Sequence, residues 1–183
     1  MTPVTLRSSV TRLAVRRASL ALVPVLVLLL GGCVSDEAKN DPLPRMSKQK
    51  AEEWAEHWTS SMARTAGAEP VASTRQANFS HCLGKGGESA DDGRFTLRYN
   101  LRAKLPGDRQ AAGIRAIKDE LQKQGFEIQG YRSDPAKNPV NLVDARQPEQ
   151  RFAVSAEDLD DQLIVLVVST PCLLPPSAEQ QEF

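Results

Sequence analysis

The sequence predicts an α+β fold: a two-layer sandwich with two helices on one face of a mainly antiparallel sheet of about five to six strands. Three observations carry this expectation. Apolar residues recur at helical spacing in two separate stretches, strict apolar–polar alternation runs through "RFTLRYNLRAKL", and short apolar runs separated by turn residues follow the second helical stretch. The order helix, two strands, helix, four strands has no regular βαβ repeat, so helices and strands are expected to form separate layers.

The first helix rests on Ala51, Trp54, Ala55, Trp58 and Met62, which fall at i, i+3, i+4, i+7 and i+11 and make one stripe. Ser47 is placed to cap its start and Gly67 to end it. Both tryptophans of the chain lie on this stripe, where Trp at helical spacing reads as core rather than as a ligand-stacking platform. "NFSHCL" (78–83) reads as a short strand, and the Gly- and acid-rich "GKGGESADDG" as a flexible hairpin connection. That loop has neither the Walker spacing nor the alternating acids of a calcium loop.

In "RFTLRYNLRAKL" the residues Phe95, Leu97, Tyr99, Leu101, Ala103 and Leu105 face one side, and Arg94, Thr96, Arg98, Asn100, Arg102 and Lys104 the other. "LPGDRQ" supplies a turn with Asp108 as the expected N-cap. A second amphipathic helix follows on Ala111, Ile114, Ile117, Lys118 and Leu121, stopped at Gly125. "GFEIQGY", "PVNLVDA", "RFAVSAE" and "DQLIVLVVST" are the remaining strands. The last is the most continuously apolar, which places it centrally in the sheet.

Ahead of this domain, Arg7, Arg12, Arg16 and Arg17 precede an uncharged apolar run from Ala18 to Leu30, a basic segment followed by a hydrophobic one. As a helix the run is roughly 20 Å long, too short for a hydrocarbon layer of about 30 Å. It ends in Leu30-Gly31-Gly32-Cys33, which resembles the lipobox of bacterial lipoproteins. That resemblance implies cleavage after residue 32, a diacylglyceryl group on the thiol of Cys33, and attachment to the cell membrane on its extracytoplasmic side. The pair Arg16-Arg17 also admits a twin-arginine signal, but Ser19 stands where that signal has a large apolar residue, so the general secretory route ranks first. Gln124-Gly125-Phe126 after a helix, an early cysteine, and Thr170-Pro171-Cys172 after a last strand resemble small actinobacterial lipoproteins of uncharacterised function. No active site follows from that resemblance.

The expected organisation is a signal peptide at 1–32, a lipid-anchored flexible tether at 33–45, a single domain at 46–175, and a disordered tail at 176–183. The tether is polar, mixed in charge and broken by Pro42 and Pro44. Loss of residues 1–32 removes four of the 23 Lys and Arg and none of the 23 Asp and Glu, leaving a net charge near −4. Such a balance argues against a nucleic-acid partner, which needs a concentrated basic surface. It also assigns membrane attachment to the lipid rather than to a polybasic patch.

With Cys33 acylated, only Cys82 and Cys172 remain, and in an exported protein they are expected to form a disulfide. His57, His81 and these cysteines show no metal-ligand spacing, so no metal or other cofactor is expected. No catalytic residues are assigned: no nucleophile elbow is present, and Glu157-Asp158 and Asp160-Asp161 sit beside an evident turn. Arg94, Arg98 and Arg102 form the most function-like feature, a cationic row on the wet side of one strand. It is read first as ion pairing with acids of neighbouring strands, and otherwise as a face for an anionic or protein partner. The functional expectation is a non-enzymatic accessory or interaction module that engages an envelope protein; the alternative is a carrier of a small or lipidic ligand.

Overall fold

The computed structural model describes residues 41–183 apart from Lys85. The expected signal peptide at 1–32, the expected lipidation residue Cys33 and the expected tether up to residue 40 lie outside the described residues. Within them, α1 (Lys48–Ala66) is followed by β1 (Glu69–Pro70), a short 3-10 turn (Ala72–Thr74), β2 (Gln76–His81) and β3 (Phe95–Lys104). Then come α2 (Gly107–Lys123), β4 (Glu127–Ser133), β5 (Asn141–Arg146), β6 (Ala153–Asp158) and β7 (Leu163–Ser169).

The fold is α+β and its sheet is antiparallel at every pairing, with the order β1-β3-β7-β6-β5-β4 and β2 also paired to β3. Among the described residues seven strands are present instead of five to six. The additional one is β1, two residues that pair with the C-terminal end of β3 while β2 pairs with the rest of it. The edge strand is thus broken by the 3-10 turn, and so short a segment leaves no alternation for periodicity to detect. The continuously apolar β7 does lie inside the sheet, between β3 and β6.

Local chemistry explains the helix ends. Ser47 accepts a hydrogen bond from the amide of Lys50 at 3.2 Å, and Gly67 takes the left-handed conformation (φ 65°) that closes α1. Asp108 does not cap α2. Pro106 occupies that position without a side-chain bond, and Asp108 falls in the first turn, where its charge suits the helix dipole. At the other end Gly125 (φ 82°) lets the amide of Phe126 reach Leu121 O at 3.0 Å, turning the chain directly into β4.

The alternation in β3 puts Phe95, Leu97, Tyr99, Leu101 and Ala103 at 2% exposure or less. They join one cluster with Val143 and Ala145 of β5, Val154 and Ala156 of β6, Ile164, Leu166 and Val168 of β7, and the buried stripes of both helices. Each large side chain so buried contributes about 1.5–3 kcal/mol. The helices approach closely at Gly113, where a Cβ would stand 2.7 Å from Leu105 Cδ2 and 3.2 Å from Ala66 O. Gln110, 4% exposed, donates from Nε2 to the carbonyls of Asp160 (2.7 Å) and Leu105 (3.0 Å), tying the start of α2 to the β6–β7 turn.

Cys82 and Cys172 form a disulfide with Cα atoms 5.9 Å apart. Cys82 follows β2 and Cys172 follows β7, the two strands that flank β3, so the bridge joins them across the start of β3. Beside it the backbone of Phe95 exchanges hydrogen bonds with Leu173 at 2.8 and 2.7 Å.

The boundaries expected at 46 and 175 move outward. The amide of Leu174 donates to Pro44 O at 2.9 Å and that of Met46 to Leu174 O at 3.0 Å. The Arg45 guanidinium donates to the carbonyls of Pro176 (3.1 Å) and Ala178 (2.7 Å). Residues 176–183, expected as a disordered tail, are therefore docked against 41–45, because polar side chains and free carbonyls supply partners that hydropathy does not register.

Candidate functional site

The side of the sheet that points away from the helices is where Arg98 and Arg102 of the sequence-predicted cationic row fall, flanked by the 3-10 turn, whose Ser73 and Thr74 line a hollow with Asn100, Arg102 and Val165. Because strand pairing is in register there, its side chains form rows. Arg102, Val165 and Glu157 share one row across β3, β7 and β6, and Leu142 of β5 continues it. Asn100, Val167, Ser155 and Asp144 make the next row, and Arg98, Ser169, Ala153 and Arg146 the third.

Arg94 is not part of this surface. It precedes β3, is 2% exposed, and donates from Nε to both carboxylate oxygens of Asp92 at 2.8 and 2.9 Å. A second guanidinium nitrogen reaches Asp92 and the carbonyl of Gln181, and the Phe183 ring lies 4.3 Å from its Cζ. The i, i+4 spacing holds only while the chain is extended, and Gly93 (φ 75°) breaks the extension just before Arg94. The Arg94 guanidinium, with the amides of Gln181 and Arg94, holds the Asp92 carboxyl far below the usual carboxylate range against the opposing effect of burial.

Arg98 and Arg102 do stand on the face and are exposed. Among the described residues neither forms an ion pair. The pairing expected with acids on neighbouring strands is absent because those strands place Asn78 and Ser169 beside Arg98, and Val165 beside Arg102. The acid on a neighbouring strand, Glu69 of β1, stands opposite Lys104 and pairs with it at 3.5 Å; the next acids on the face are Glu157 on β6, one strand beyond β7, and Asp144 on β5 after it. Burial, and then the charges of Asp144 and Asp158, push the Glu157 carboxyl above its ordinary value, with Arg98 and Arg132 pulling the other way. Burial raises Asp144 as well. The face is thus zoned, with Arg98 and Arg102 on β3, then Val165 and Val167 of β7, then the carboxylates of Glu157 on β6 and Asp144 on β5, and the exposed Arg146 at the end of β5.

A second feature is a groove of about 440 Å³ at one end of the fold, lined by Pro44, Met46, Trp54, Phe152, Pro171 and Leu173 among others. It is mostly apolar and open to solvent on one side. Trp54 packs edge-on to Phe152 with ring centroids 4.2 Å apart, and Phe152 in turn meets Phe126 and Trp58. The two tryptophans therefore serve the core, and Trp54 also presents one edge to the groove.

The remaining polar candidates have structural partners or lie apart. Asp158 accepts from the amides of Val140 and Asn141, and Asp160 from the amide of Gln162 at 2.8 Å. His57 on α1 and His81 on β2 are both exposed and sit on separate elements. Among the described residues no group of three or more His, Cys, Asp and Glu is placed to hold a metal ion, and no helix is long and apolar enough to cross a membrane. Sequence reasoning missed the zoning, since Glu157 and Asp144 join the face only through strand order. In the comparisons with known proteins, no family model, no curated protein and no solved structure matches the chain.

Proposed function

We propose that this chain is a lipid-anchored extracytoplasmic envelope lipoprotein that acts as a non-enzymatic accessory or protein-interaction module. The Leu30-Gly31-Gly32-Cys33 motif supplies the address, and the fold, read as a two-layer sandwich, supplies the surface. The observation that carries the reading is the zoned sheet face: two exposed arginines without ion-pair partners among the described residues stand beside a valine strip and two carboxylates whose ionised forms are disfavoured. Charges left unpaired on a broad regular surface suit recognition of a complementary protein surface better than they suit stability.

The groove supports a second reading, a carrier of a small or lipidic ligand, because its lining is apolar and Pro44 and Met46 bring it close to the tether. The interior between helices and sheet supports the first reading instead. Leu97, Tyr99, Leu101, Ile114, Ile117, Ile164 and Leu166 fill it at 1% exposure or less.

Photocross-linking in intact membranes tests the choice. A benzophenone side chain replacing Asn100 on the sheet face is expected to give a discrete protein adduct, and one replacing Gln150 at the groove rim is not. Adducts from Gln150 alone, or an apolar small molecule co-purifying in native mass spectrometry, would favour the carrier.

A further inference from the structure

We infer that the partner of the zoned face is a second copy of this chain, docked face to face about a two-fold axis that runs along β7. This deepens the interaction-module reading and rests on it. In such a pair each strand on one side of β7 lies opposite the strand on the other side of β7 in the partner copy. β3 therefore faces β6. Rows are preserved by an axis along the strand, so Arg102 of each copy meets Glu157 of the other, Asn100 meets Ser155, and Val165 and Val167 meet themselves.

Within one chain Arg102 and Glu157 sit two strands apart, about 9.6 Å across the sheet, with Val165 between them. Across a sheet-to-sheet spacing of about 10 Å their side chains point at each other. The other face-to-face axis, perpendicular to the strands, would lay β3 on β3 and stack Arg98 and Arg102 against their own copies. Charge therefore selects one of the two dimers.

The area is sufficient. Five strand positions overlap about this axis, β4 lying beyond them; at about six residues each they give a face of roughly 24 Å by 20 Å, about 480 Å² per copy and about 1,000 Å² for the pair, at the floor for a specific interface. Glu157, disfavoured in its charged form, would gain the Arg102 guanidinium of the other copy, once on each side of the axis, while Arg98 would meet Ala153 and Asp144 would meet Gln76.

Sedimentation of the full chain in detergent, with Arg102→Glu and Glu157→Arg made singly, tests this. The wild-type chain is expected to dimerise at micromolar concentration, and each variant alone to lose at least about tenfold in affinity, because like charges then oppose each other at both contacts. An equimolar mixture of the two variants is expected to recover dimers. In the mixed pair the two substituted side chains meet as a reversed ion pair at one contact, and the native Glu157 of one copy meets the native Arg102 of the other at the second. No pairing within a chain produces that recovery. A monomeric wild type, variants that dimerise like wild type, or a mixture that fails to recover would overturn the inference. Should the variants not fold, the benzophenone at Asn100 still decides. An adduct of twice the chain mass is expected; an adduct with a different protein keeps the interaction module and overturns the homodimer; no adduct counts against both.

Discussion

Asp92 and Arg94 form a buried ion pair in which the carboxylate accepts two bonds from the guanidinium Nε, at 2.8 and 2.9 Å, and one from the amide of Gln181 at 3.0 Å. The pair pins the end of the β2–β3 loop to the C-terminal segment. Removing one partner leaves the other charged, buried and unpaired. Asp92→Asn is therefore expected to cost about 3–5 kcal/mol in urea unfolding. Changing Arg98 and Arg102 together to Gln is expected to alter stability by no more than about 0.5 kcal/mol, because neither is paired. A comparable loss in the double variant would show that the face serves the fold.

The carboxyls predict a stability curve with two limbs. Glu157 and Asp144 have raised values, so their ionised forms weaken the folded state near neutrality, and protonating them as pH falls toward the ordinary carboxylate range strengthens it. Asp92 has a depressed value, so its contribution is complete above the unfolded carboxylate pKa of about 3.9 and is lost as pH falls below it. Urea midpoints are expected to rise from neutral to mildly acidic pH and to fall under stronger acid. Glu157→Gln should flatten the first limb only, and Asp92→Asn the second.

The disulfide closes a loop of 90 residues, for which the chain-entropy account gives roughly 4–5 kcal/mol. Replacing Cys82 and Cys172 with Ala is expected to lower unfolding stability by about 2–5 kcal/mol, with the strand ends at Phe95 and Leu173 gaining hydrogen exchange first. Unchanged stability would mean that strand pairing alone holds those strand ends.

Most of the fold is legible because each element announces itself locally. Ser47 and Gly67 bracket α1, the alternation from Phe95 to Ala103 sorts β3 into two faces, and β7 is apolar enough to mark an interior strand. β1 is illegible because two residues have no period. The docked ends are illegible because their bonds run from Arg45 and Gln181 to carbonyls and carboxylates distant in sequence. For the site, Arg98 and Arg102 are visible in the spacing, but Arg94 shares that spacing and lies buried with Asp92. The acidic half of the face cannot be read at all. Glu157 and Asp144 reach it only because β6 and β5 follow β7 across the sheet, a matter of topology that no local pattern records.

Whether this chain works at a membrane is read most directly from the intact mass of its mature N-terminus. Lipobox processing predicts a first residue at Cys33 bearing a diacylglyceryl group, and recovery of the protein in the membrane fraction; Cys33→Ser should leave the chain unprocessed or soluble. A mature N-terminus at any other residue, or an unmodified Cys33, would contradict the anchor and with it the placement of the zoned face at the membrane surface.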